Sequence, residues 1–154
     1  MFYMGAEMSS EERGQWVYLV AILLTYGAYV AIVLAGADGG SLTDVDYVPL
    51  MLAAIGIGIA VAIVGRIVIE IAGGIASKMA GNHETHDADV RDRDIGRFGE
   101  YVAGSVLGVG MVVPFVLTLA ESDYFWIANA MYLAFVLAAA VGAAIKLVAY
   151  RRGF

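Results

Sequence analysis

Apolar residues in this chain do not alternate or recur in narrow stripes; they run on in blocks. Four such blocks cover residues 15–36, 47–71, 98–120 and 124–148, and a polar, charged segment at 78–100 separates the first two from the last two. Each block is long enough to cross a hydrocarbon core of roughly 30 Å as a helix. A helix that is apolar all round, with no polar face for water, belongs in lipid or in a protein interior. The pattern predicts an all-α, polytopic membrane protein. Its four transmembrane helices form an antiparallel bundle in a single domain over 1–154.

Punctuation along the chain refines those helices. Pro49 falls in the first turn of the second helix, where a missing N–H costs little. Gly73-Gly74 is expected to loosen that helix before the charged segment. Pro114 is expected to kink the third helix and release the carbonyl of Gly110. Trp16 and Tyr124-Phe125-Trp126 sit where interfacial aromatic belts would lie. The run from Gln15 to Gly36 is too long for a signal-peptide core and follows an acidic N-terminal stretch, so helix one is expected to stay in the membrane.

Composition agrees with this class. Of 154 residues, 61% are hydrophobic and only 16% charged, where a soluble domain carries about a quarter. A net charge of −6 leaves no basic surface for phosphates, which excludes nucleic acid as a partner. The positions of the basic residues say more than their number. Arg13, Arg66, Lys78, Arg91, Arg93, Arg97, Lys146, Arg151 and Arg152 all fall on the side of the N-terminus, the middle segment and the C-terminus. The two opposite loops have none. By the positive-inside rule both termini are cytoplasmic in a multi-pass protein of the cell membrane.

Chemistry is sparse. Without cysteine there is no disulfide, thiolate metal site or iron–sulfur cluster. The two histidines, His83 and His86, share one segment, so a bis-histidine haem in the membrane is excluded. Whether they hold a divalent metal with neighbouring carboxylates stays open at this stage. No catalytic triad, phosphate loop or intramembrane protease pattern is visible, and neither an enzyme nor a cofactor is expected.

Three constellations remain. Arg66 and Glu70 are four residues apart on one helix face and can pair. Arg66 lies about 28 Å along its helix from Tyr47, near the edge of the hydrocarbon. Both an interfacial pair and a pair lining an ion path fit that depth. In the middle segment, Asp87–Arg91, Asp89–Arg93, Asp94–Arg97 and Arg97–Glu100 form a ladder at i,i+3 and i,i+4, with Asp87 as N-cap. The face made by Asp89, Arg91, Asp92, Arg93, Asp94 and Arg97 is a candidate docking surface for a cytoplasmic protein. Finally, Gly104 and Gly108 have the small-xxx-small spacing that lets helices approach closely, which predicts a homo-oligomer, a dimer being simplest. Tyr18, Thr25 and Tyr29 fall on one face of helix one and are expected to point into the bundle.

The run Asp89-Val90-Arg91-Asp92-Arg93-Asp94-Ile95 followed by Arg97, then Phe125-Trp126-Ile127-Ala128-Asn129-Ala130, then Lys146-Leu147-Val148 and Tyr150-Arg151-Arg152-Gly153, resembles a family of small prokaryotic four-helix membrane proteins carried as a domain of unknown function. That family has an Asp-Glu-Arg-Asp-like run before its third helix; here Val90 stands where Glu is common. The resemblance covers residues 87 to 153. It implies the four-helix topology, and because some members sit beside helix-turn-helix regulators it implies a regulatory setting. The expected function is a non-enzymatic membrane interaction or regulatory module. The alternative is a small oligomeric transporter or channel using Arg66, Glu70, Tyr29 and Lys146.

Overall fold

The computed structural model describes residues 10–80 and 86–152. Among the described residues it consists of helices joined by short turns, with no strand. The elements are α1 (Ser10–Gly36), a 3-10 turn (Leu42–Asp44), α2 (Tyr47–Ala80), α3 (His86–Gly110), α4 (Val112–Leu119) and α5 (Tyr124–Arg152). Four helical stretches are long and apolar enough to cross a membrane: Glu12–Gly36, Tyr47–Ala72, Val90–Leu119 and Tyr124–Arg152. The protein is a multi-pass, all-α membrane protein, and the expected four-helix architecture holds.

Local chemistry explains the boundaries. The α4–α5 connection is only Ala120-Glu121-Ser122-Asp123, and two caps fused back to back make it that short. Ser122 N–H donates to Leu117 O at 3.0 Å and Glu121 N–H to Thr118 O at 3.1 Å, the hydrogen-bond pair of a Schellman motif. Glu121 takes the left-handed position, φ 52°, that glycine usually fills. Asp123 then caps the next helix, its Oδ1 accepting from Phe125 N–H at 2.7 Å.

Pro114 acts as its chemistry demands. The third span is interrupted at the single residue Met111, between α3 and α4, while Met111 N–H still donates to Leu107 O at 2.8 Å and Phe115 N–H to Met111 O at 3.2 Å. Gly110 O is the carbonyl that an N–H at position 114 would have bonded. Pro114 is fully buried, and Thr118 Oγ1 donates to its carbonyl at 2.8 Å.

Two boundaries differ from expectation. Helix α2 continues unbroken through Gly73-Gly74 to Ala80. Glycine costs about 1 kcal/mol per interior helix position, and the surrounding Ile71, Ala72, Ile75, Ala76 and Lys78 keep the helical path. The third span starts well before residue 98, because α3 carries most of the charged segment as regular helix. The segment 78–100 is therefore largely the ends of two helices.

The packing order follows α5. It lies against α1 on one side and against α3 and α4 on the other, while α2 packs chiefly on α1. Side chains on α5 are accordingly buried around much of its circumference, including Phe125, Tyr132, Ala134, Val136, Ala138, Gly142, Ala143 and Leu147. Small residues let α3 and α5 approach closely. A Cβ on Gly142 would lie 2.9 Å from Ala103 Cβ, and one on Gly110 would lie 3.0 Å from Ala134 Cβ. Ile95, 1% exposed, continues the same face of α3 toward the end that carries both termini.

At the opposite end, the core is aromatic. Tyr29, Val33, Ala54, Phe125, Tyr132 and Val136 form one buried cluster. Tyr132 meets Tyr26 and Tyr29 edge-on, with ring centroids 5.2 and 5.3 Å apart. The Tyr29 hydroxyl donates to Asn129 Oδ1 at 2.8 Å, and Asn129 Nδ2 donates to Phe125 O at 2.8 Å. This links α1 to α5 with both polar groups satisfied, and it is the inward role expected of Tyr29.

Candidate functional site

Because α2 packs chiefly on α1, a cavity opens between α2 and the α3–α5 pair at the end that carries the termini. Its volume is about 730 Å³. Tyr18 of α1 lines it, with Arg66 and Glu70 on α2, Glu100 on α3, and Ala139 and Lys146 on α5. All four spans contribute. Polar groups gather toward the terminal end, and small apolar ones line the deeper part.

Arg66 and Glu70 form the α2 wall. Arg66 Nε donates to Glu70 Oε1 at 2.9 Å, the i,i+4 pair that the spacing predicts. Their side chains are 75% and 60% exposed, so the pair stands open to the cavity rather than locked in a core.

The facing wall carries a second pair that crosses from α5 to α3. Lys146 Nζ lies 3.8 Å from Glu100 Oε1. The lysine side chain is only 18% exposed, whereas that of Glu100 is 77% exposed. Gly99 makes this placement feasible: a Cβ there would meet the Lys146 stem atoms Cγ and Cε at 2.4 and 2.5 Å. A glycine notch thus seats the lysine stem on α3 and leaves the ammonium at the cavity.

The charge ladder is only partly as expected. Glu100 reaches across to Lys146 instead of back to Arg97, since the notch brings Lys146 alongside. No ion pair joins Asp94 to Arg97 among the described residues. Arg91, Arg93, Asp94 and Arg97 are exposed and Asp92 is half-buried, on a helix anchored beneath by Ile95. The side chains of His86, Asp87 and Asp89, with His83 and Glu84, lie outside the described residues.

Gly104 and Gly108 are exposed and nothing lies within 4 Å of a Cβ built on either. They take no part in the close approach of α3 to α5, which uses Gly99, Ala103 and Gly110 instead. Tyr18 lines the cavity, and Thr25 bonds back to the carbonyl of Ala21 within its own helix.

One clasp has no sequence signal. Arg151 Nε donates to Glu12 Oε1 at 3.2 Å, and its guanidinium sits 5.6 Å from the centre of the Trp16 ring. Glu12 is buried, 9% exposed. The partners are 139 residues apart in sequence, so no local spacing could reveal them. The clasp ties the start of α1 to the end of α5 beside the cavity.

No family model matches this chain, and no curated protein or solved structure was found to be similar to it.

Proposed function

We propose that this protein is a non-enzymatic module of the cell membrane that binds a ligand in the interhelical cavity, and that of the two expected classes it belongs to the small oligomeric transporters. One observation carries this reading: two pairs of opposite charge, Arg66–Glu70 and Lys146–Glu100, face one cavity to which all four spans contribute. Ionisable groups within spanning segments are expensive and tend to mark substrate or ion paths. The cavity's size falls in the ordinary range for small-ligand sites. A ligand that engages Glu70 or Arg66 competes with the ion pair between them, which couples the charge of the site to its contents.

In this reading both termini and the α2–α3 connection are cytoplasmic, as the distribution of basic residues implies. The exposed Gly104–Gly108 stripe serves a second copy of the chain. In liposomes under an imposed pH gradient, the wild-type protein is expected to dissipate the gradient and Glu70→Gln to be inactive. The same preparation is expected to have the mass of a dimer. Equal flux from Glu70→Gln liposomes would remove the transporter reading, and a monomeric mass would remove the dimer.

The docking face supports a second reading. Arg91, Arg93 and Arg97 project from a helix whose underside is fixed by Ile95 and by Lys146 against Gly99, so they present a rigid charged surface. Reversing Arg91 and Arg93 to Glu is expected to abolish recovery of a cytoplasmic partner in a pull-down while the melting temperature stays put. Unchanged recovery would count against a docking role.

A further inference from the structure

The polar and apolar parts of the cavity are separated along the helix axes. On α2, Val61 and Ala62 lie deep and Glu70 lies toward the terminal end, about 13 Å apart from Val61 to Glu70 at 1.5 Å per residue. On α5, Ala139 lies deep and Lys146 toward the same end, about 10 Å away. The site therefore has a charged end near one membrane face and an apolar channel leading toward the middle of the bilayer. That is the polarity of an amphiphile standing in one leaflet.

The charges narrow the class. Two cations and two carboxylates face the cavity, so its formal charge is balanced. A simple anion would meet Glu70 and Glu100, and a simple cation would meet Arg66 and Lys146. A zwitterion meets neither penalty: a phosphate can take Lys146 and Arg66 while an ammonium takes Glu70 and Glu100. Lys146 is especially suited to this. Among the described residues its ammonium has no partner closer than Glu100 at 3.8 Å, beyond hydrogen-bond range, so its donors are available. The stem is mostly buried while the ammonium stands at the cavity, so an anionic group bound there would supply the charge-assisted hydrogen bonds that Glu100 at 3.8 Å does not.

We propose that the cavity holds a zwitterionic phospholipid, its phosphate on Lys146 and Arg66, its ammonium on Glu70 and Glu100, and its acyl chain along Val61, Ala139 and Ala143. This rests on the cavity being the ligand site of the proposed function, and it names the class of ligand. Charge-assisted contacts fix the headgroup, and the apolar wall excludes headgroups that carry no chain.

The test is native mass spectrometry of the full chain from detergent micelles, titrated separately with phosphatidylethanolamine, phosphatidylglycerol, diacylglycerol and soluble glycerophosphoethanolamine. The wild type is expected to retain phosphatidylethanolamine at least about tenfold better than the other three, the margin that one lost charge-assisted contact would give. Lys146→Met is expected to lose that preference and Lys146→Arg to keep most of it. Arg152→Gln, which removes an exposed cation away from the cavity, is expected to keep all of it. Melting curves of each variant separate lost binding from lost fold. Equal retention of diacylglycerol or of the soluble headgroup overturns the proposal, as does a folded Lys146→Met that binds like the wild type. Loss of this preference alongside Glu70-dependent flux would sink the lipid and spare the transporter; selective retention without flux would do the reverse.

Discussion

Gly142→Leu is expected to unfold the α3–α5 contact and lower the melting temperature in detergent more than any other single glycine substitution in the spans. Even a Cβ at this position would lie 2.9 Å from Ala103 Cβ and 3.3 Å from Gly99 O. A leucine adds three further carbons against backbone that cannot step aside without moving α3. Overpacking a tight site costs about 1–3 kcal/mol and more where backbone must shift. Here the upper end applies, because Ala103, Gly99 and the Lys146 stem are stacked in the same seam. Gly56→Leu is the matched control, since nothing lies within 4 Å of its Cβ position. That variant is expected to melt at or slightly above the wild type, because leucine recovers most of the about 0.8–1 kcal/mol of helix propensity by which glycine falls below alanine. If both variants melted alike, the seam would not be the close contact described.

This pair of glycines also shows where sequence reading stops. The four spans were legible because their length and lack of charge exceed what any soluble helix needs. The Arg66–Glu70 pair was legible because i,i+4 spacing is a property of one helix. Which glycines meet another helix was not. The spacing singled out Gly104 and Gly108 as a face for a second copy, whereas the contact between α3 and α5 runs through Gly99, Gly110 and Gly142, which no spacing marked. In α1 and α5 the apolar residues are spread evenly around the axis, so periodicity carries no sign of an inner face. Rotation of each helix, and hence the cavity that joins Arg66 to Lys146, is decided by packing between distant segments. The same holds for Glu12 and Arg151. The loosening expected at Gly73-Gly74 does not interrupt α2, which runs on to Ala80.

Tyr132→Ala is expected to be the most damaging substitution at the other end of the molecule. Tyr132 is buried and stacks edge-on against Tyr26 and Tyr29, holding α5 to α1. Removing a buried aromatic ring and leaving a cavity costs about 3–5 kcal/mol, with edge-to-face ring contacts contributing about 0.5–1.5 kcal/mol of their own. Conservative variants separate ring from hydroxyl. Tyr132→Phe keeps the ring and breaks no hydrogen bond found in the structure, so its melting temperature is expected to match the wild type. Tyr29→Phe removes the donor that Asn129 Oδ1 accepts, at a cost of about 0.6 to 1.7 kcal/mol for such bonds in membranes. Thermal unfolding of the three purified proteins in one detergent checks the order. A Tyr29→Phe protein as stable as Tyr132→Phe would mean the Tyr29–Asn129 bond contributes nothing.

The central place of α5 bears on how the chain is made. Of the described helices it leaves the ribosome last, and it supplies the main surface shared by the α1–α2 hairpin and the α3–α4 span. Until it inserts, the earlier helices reside in the bilayer as two largely independent pieces with no common core. Packing between these two pieces thus waits for α5, and a translation product stopping before Tyr124 is expected to leave them linked in the membrane without a shared core.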